Sequence, residues 1–190
     1  MFAKKRYYFF LAAIVVVTIA AIVIFVGSDL LPGPVKGEII IYKEERELEL
    51  YVGADCVGIY YIALSSSPYG TKDKEGDRKV PEGDYYICTH NGQSNFTYFL
   101  GLSYPSIIDA QRGFDSGAID KKTLSKIAKA IEKKECPPWD TALGGEIGIH
   151  GGGIGSDWTL GCIAVTDEAI LQIKEYAPLG TPVRIYASRK

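Results

Sequence analysis

The chain has 190 residues, 47% of them hydrophobic and 23% charged, with a formal net charge of −2. That composition suits one globular domain with its own core and excludes collagen-like, disordered and multi-span membrane classes. Lys4, Lys5 and Arg6 precede the first acid, Asp29; of the 21 basic residues, 21 − 3 = 18 remain against 23 acidic ones, so the rest of the chain carries no nucleic-acid footprint.

Residues 7–26 are uncharged and free of Gly and Pro, close to the roughly 20 residues that cross a bilayer. A cleaved signal peptide has a shorter apolar region of about 7–15 residues and ends in a small-x-small site, which Phe25 and Val26 do not provide. The expectation is therefore an uncleaved anchor at 7–26. The basic residues in 1–6 keep that end cytoplasmic and the remainder outside. Residues 27–36, with Pro32, Gly33 and Pro34, read as a linker, and 37–190 as the folded domain.

In that domain three runs rich in Ile, Tyr and Val, at 38–43, 47–52 and 56–64, predict a strand meander. Residues 65–79 are polar and read as an exposed loop. A turn at Val80, Pro81, Glu82 and Gly83 leads into a strand at 84–90, and another is expected at 96–103. Helical periodicity appears twice. Ile119, Leu124, Ile127, Ala128 and Ile131 form one stripe within 120–134, and Thr166, Asp167 and Glu168 open a second helix that Pro178 and Gly180 close. Residues 181–187 form a last strand. The fold class expected is mainly β with short helices, sandwich or barrel-like.

The chemistry lies between the helices. An apolar strand at 147–149 runs into His150, Gly151, Gly152 and Gly153, and Cys162 follows twelve positions after His150. An adjacent imidazole turns a thiol into the thiolate that attacks carbonyls. The glycines let backbone approach a ligand, and Gly161 before the cysteine leaves its N–H available for an oxyanion hole. His90 and His150 are the two imidazoles available as a base. Cys88 lies two residues before His90, and with Cys136 the three make a weak candidate for zinc. Cys56, Cys88 and Cys136 are three in number, so at most one internal disulfide joins them and one thiol stays spare.

These residues resemble a known family. Ile147-Gly148-Ile149-His150-Gly151 followed by Thr159-Leu160-Gly161-Cys162-Ile163 is similar to the signature of the YkuD-like L,D-transpeptidase catalytic domain. Pro81-Glu82-Gly83-Asp84-Tyr85-Tyr86-Ile87 resembles its early hairpin, and Leu102-Ser103-Tyr104-Pro105 with Asp109, Arg112 and Gly113 the segment after it. Pro138-Trp139-Asp140-Thr141-Ala142-Leu143-Gly144-Gly145 and Trp158-Thr159 look most like its YafK-like branch.

The resemblance implies Cys162 as nucleophile, His150 as general base, the Gly151 carbonyl as the group orienting the ring, and the Gly161 and Cys162 amides as oxyanion hole. Trp158, Thr159 and Gly152 would contact substrate. Family members attack the diamino acid at the third position of peptidoglycan stem peptides, release D-alanine, and hold a thioester until an amine resolves it. A wall-linked lipoprotein joins the expected partners, because YafK-like relatives include hydrolases. No nucleotide or metal cofactor is implied. Leu160 stands where the family has a second His, and Ala164 where many members carry Arg, so cross-linking, hydrolysis and, from a different class, silent wall binding are the readings to separate.

Overall fold

A computed structural model describes residues 37–189. The expected anchor at 7–26 and linker at 27–36 lie outside the described residues, among which no helix is long and apolar enough to cross a membrane. Eight strands form one sheet in the order β3-β2-β1-β8-β4-β5-β6-β7.

β1 (Gly37–Tyr42), β2 (Glu47–Val52) and β3 (Asp55–Tyr61) make the antiparallel meander that the Ile- and Tyr-rich runs predict. Period-two alternation sends Ile39, Ile41, Leu48 and Leu50 into the core. β8 (Pro182–Tyr186) joins β1 in parallel and β4 (Gly83–Asn91) in antiparallel fashion, and Val183 and Ile185 point inward beside Ile39 and Ile41. β4 is long enough to serve two neighbours. Its first half pairs with β8 and its second, from Ile87 onward and with an irregularity between Ile87 and Thr89, with β5 (Phe99–Leu102). Such a break bends a strand and increases its twist.

β6 (Gly148–His150) follows β5, and β7 (Ile163–Ala164) pairs in parallel with β6. The chain leaving β3 then bridges the far edge, Ala63 to Ala164 and Ser65 to Thr159. The two ends of the sheet are thereby brought together, which accounts for the barrel-like half of the expectation.

Three short helices complete the domain: α1 (Ile107–Asp115), α2 (Lys121–Glu132) and α3 (Asp167–Tyr176). Asp120 caps α2 and Thr166 caps α3 through their side chains, the latter as the sequence predicts. Helix α1 is absent from the sequence expectation. Ser106 and Asp109 form a reciprocal capping box there, but Ile107, Ile108 and Phe114 are exposed, so no apolar stripe marks it. α3 lays Ile170 and Ile173 on the main core, while α1 and α2 close a smaller one of Ala110, Ile119, Ile127 and Leu143.

The loop at 65–79 is largely exposed, as expected, with Ser65 and Lys72 as its buried exceptions. Lys72 within it is 2% exposed, its ammonium 2.8 Å from Asp77 and also donating to the Lys74 carbonyl. A buried cation is tolerable only when paired in this way. Cys88 on β4 is bonded to Cys136 beyond α2. That consumes both sulfurs of the zinc candidate at His90 and leaves Cys56 as the spare, exposed thiol.

Candidate active site

Register brings the two sequence candidates together. In the parallel β6–β7 pair Ile149 lies beside Ile163 and His150 beside Ala164, so Cys162, one residue before β7, comes alongside Gly148. Alternation puts the side chains of 148 and 150 on one face. Position 148 carries none: a Cβ there would stand 2.3 Å from Phe99. His150 and Cys162 consequently open on one cleft of about 970 Å³.

His150 is buried, with Nδ1 2.6 Å from the Gly151 carbonyl. A carbonyl only accepts, so Nδ1 carries the proton and Nε2 presents its lone pair. The ring is packed between aromatics, stacked on Phe96 at 4.6 Å between centroids and meeting Trp158 edge-on at 5.4 Å. Burial pushes its pKa below the ordinary imidazole value, while the Gly151 carbonyl works the other way. Burial also pushes the Cys162 thiol up, to about 11, partly offset by the Gly148 amide. The thiol donates to the Glu146 carbonyl at 3.3 Å. Both shifts favour the neutral thiol and the neutral imidazole before substrate binds.

The nucleophile loop is tied from within. Thr159 Oγ1 donates to the Cys162 carbonyl at 2.7 Å and accepts a long 3.4 Å bond from the Gly161 amide. Thr159 lines the cleft, but its hydroxyl is committed to the loop, and the Gly161 N–H, expected to be unengaged, has this partner. Gly161 itself sits at φ +137°, and a Cβ would meet the Lys79 carbonyl at 3.0 Å. Trp158 lines the cleft and bonds the Gly153 carbonyl through Nε1 at 3.1 Å. Asp157 beside it holds Arg46 at 2.7 Å and the Leu64 amide at 2.8 Å, fixing this loop against the sheet.

Gly152 is not part of the cleft wall. Its amide donates to Asp167 Oδ1 at 2.8 Å, and the same oxygen accepts from Thr97 Oγ1 at 2.6 Å. The Gly151 amide meanwhile reaches the Phe96 carbonyl at 3.0 Å. One carboxylate at the start of α3 thus fastens both strands of backbone that hold the His150 ring. Sequence reasoning used Asp167 as a helix-start signal and missed this second role.

His90 also faces the cleft, with Nδ1 3.0 Å from the Tyr98 hydroxyl. Burial lowers its pKa as well. Among the described residues no cluster of three His, Cys, Asp or Glu is placed to hold a metal ion.

Residues 36–185 match the YkuD family, the L,D-transpeptidase catalytic domain. The chain belongs to that family. Among curated proteins it is 31% identical over 94 residues to YafK of Escherichia coli (strain K12), whose name places it with the L,D-transpeptidases. YafK of Escherichia coli O157:H7 matches to the same extent. The aligned stretch covers 46% of this chain and 37% of YafK, so the chain spans little more than a third of those relatives. In fold this YkuD-family domain is like Bd1075 of Bdellovibrio bacteriovorus, with a TM-score of 0.53 and 18% identity over 80% of this chain and 48% of that one. An L,D-transpeptidase from Xylanimonas cellulosilytica DSM 15894 gives a TM-score of 0.45 at 14% identity, over 81% of this chain and 62% of that one.

Proposed function

We propose that the chain is a cysteine L,D-transpeptidase that acts on peptidoglycan stem peptides, in wall cross-linking or remodelling, through a thioester on Cys162. One observation carries this reading: an imidazole whose Nδ1–H is fixed by the Gly151 carbonyl turns its basic Nε2 toward a cleft shared with an unbridged thiol.

In the first half-reaction Cys162 Sγ attacks the carbonyl carbon of the third-position diamino acid as its proton passes to His150 Nε2. The carbonyl electrons move onto oxygen, which the Cys162 amide holds together with the Gly161 amide once its long bond to Thr159 yields. The carbon–nitrogen bond then breaks, His150 returns the proton to the departing nitrogen, D-alanine leaves and the thioester remains. In the second, an acceptor amine attacks that thioester and gives a proton to His150. The carbon–sulfur bond breaks and the thiol is restored.

Hydrolysis by the same dyad is the second reading. Leu160, 73% exposed, and the buried Ala164 occupy the positions where the family's second His and Arg are expected, so the acceptor side lacks those contacts. Water would then replace the amine.

The reading puts the domain on the outer side of a bacterial cytoplasmic membrane, held by residues 7–26. The Cys88–Cys136 disulfide supports an oxidising compartment, and Lys4, Lys5 and Arg6 support the orientation. Intact-mass spectrometry of the purified full-length chain with tetrapeptide stems tests the chemistry. The expected result is an adduct on Cys162 lacking D-alanine, resolved to a cross-linked product by an amine acceptor; a tripeptide product instead selects hydrolysis. A folded chain that never acylates is the silent wall-binding module. Fractionation tests the anchor: a mature soluble form starting after Val26 would defeat it.

A further inference from the structure

The cleft has an unusual charge. Among the described residues lining it, Glu146 is the one carboxylate, and there is no lysine or arginine. Both imidazoles there are held below their ordinary pKa, chiefly by burial, so at neutral pH the wall is anionic. Phe96, Phe99, Trp139 and Trp158 supply its aromatic surface. Aromatic faces with a carboxylate suit a cation.

Glu146 is held close to the chemistry. Its backbone sits at φ +54°, and its carbonyl takes the Cys162 thiol. Gly145 before it packs so tightly that a Cβ would fall 2.1 Å from Cβ of Trp139. Trp139 and Glu146 are thereby fixed as neighbours on the nucleophile's side of the cleft.

We propose that Glu146, with the Trp139 face beside it, holds a free alkylammonium group of the acyl donor and selects amine-bearing stems over acylated ones. The inference rests on the acyl-transfer reading above and names the residue that reads the donor's charge.

Two donor tetrapeptides test this, identical except that the side-chain amine of the third residue is free in one and acetylated in the other. With the full-length chain, thioester formation on Cys162 is expected to favour the free amine by about tenfold in kcat/KM. In Glu146→Gln the two peptides should differ by less than about twofold, mostly through a raised KM for the free amine, with thermal unfolding unchanged. Equal rates in the wild type overturn the proposal. So does a preference that survives Glu146→Gln. A folded wild type that acylates with neither peptide defeats the acyl-transfer reading itself, and the proposal with it, by a different signature.

Discussion

Asp167 Oδ1 accepts the Gly152 amide at 2.8 Å and the Thr97 hydroxyl at 2.6 Å, so the first residue of α3 braces the backbone on two sides of His150. Misplacing a catalytic group by about 1 Å costs up to about 100-fold in rate. Asp167→Ala should therefore lower kcat by about 10–100-fold with KM little changed. Asp167→Asn, which keeps an acceptor oxygen, should restore most of it. Steady-state kinetics of the two variants checks this, and equal losses would reduce Asp167 to a helix-start residue.

The pH profile follows from the neutral resting pair. His150 must be unprotonated to take the thiol proton, and burial holds its pKa below the ordinary 6.5. Activity should thus be full above pH 6.5 and fall only as pH drops through a lower value. Because burial pushes the thiol up to about 11, alkylation of Cys162 by iodoacetamide without substrate should keep rising well past pH 9. A plateau near neutrality would mean a preformed thiolate–imidazolium pair.

Thr159 gives a loop-specific test. Thr159→Val keeps the shape but leaves the Cys162 carbonyl without its 2.7 Å donor. Removing one partner of a buried hydrogen bond costs about 1–3 kcal/mol. Denaturant unfolding should register that loss, and kcat should fall more than KM rises, since the nucleophile is displaced while the cleft wall remains.

The disulfide offers a stability test. Cys88 and Cys136 are 48 residues apart and enclose α1 and α2. Closing a loop of that size removes about 4 kcal/mol of unfolded-chain entropy in the simplest treatment, and measured values run about 2–4 kcal/mol. The Cys88→Ser, Cys136→Ser double variant should unfold at lower denaturant by that amount. An unchanged midpoint would show that the bond is not formed in the native protein.

Much of this architecture was legible because its signals are local. Alternating Ile, Leu and Tyr residues mark β1, β2, β4 and β8, the stripe of Leu124, Ile127 and Ile131 marks α2, and Thr166 announces α3. Helix α1 escaped since its capping box is followed by outward-facing Ile107 and Ile108. β7 escaped because two residues carry no period. His150 and Cys162 were found through neighbouring glycines and family likeness. The parts missed at the site depend on distant pairings: Asp167 with Gly152, Asp157 with Arg46, and Cys88 with Cys136. No spacing rule joins residues that only a closed sheet brings together.

The central claim is that Cys162 and His150 act as one unit, and single-turnover acylation of the full-length chain by tetrapeptide stems tests it most directly. The wild type, Cys162→Ala, His150→Ala and His90→Ala are compared after thermal unfolding shows each folded. Either dyad change should abolish the adduct, and the double variant should be no worse than either single one, because residues acting together are non-additive. His90→Ala should retain acylation. Turnover by folded Cys162→Ala, or acylation kept in His150→Ala but lost in His90→Ala, would contradict it.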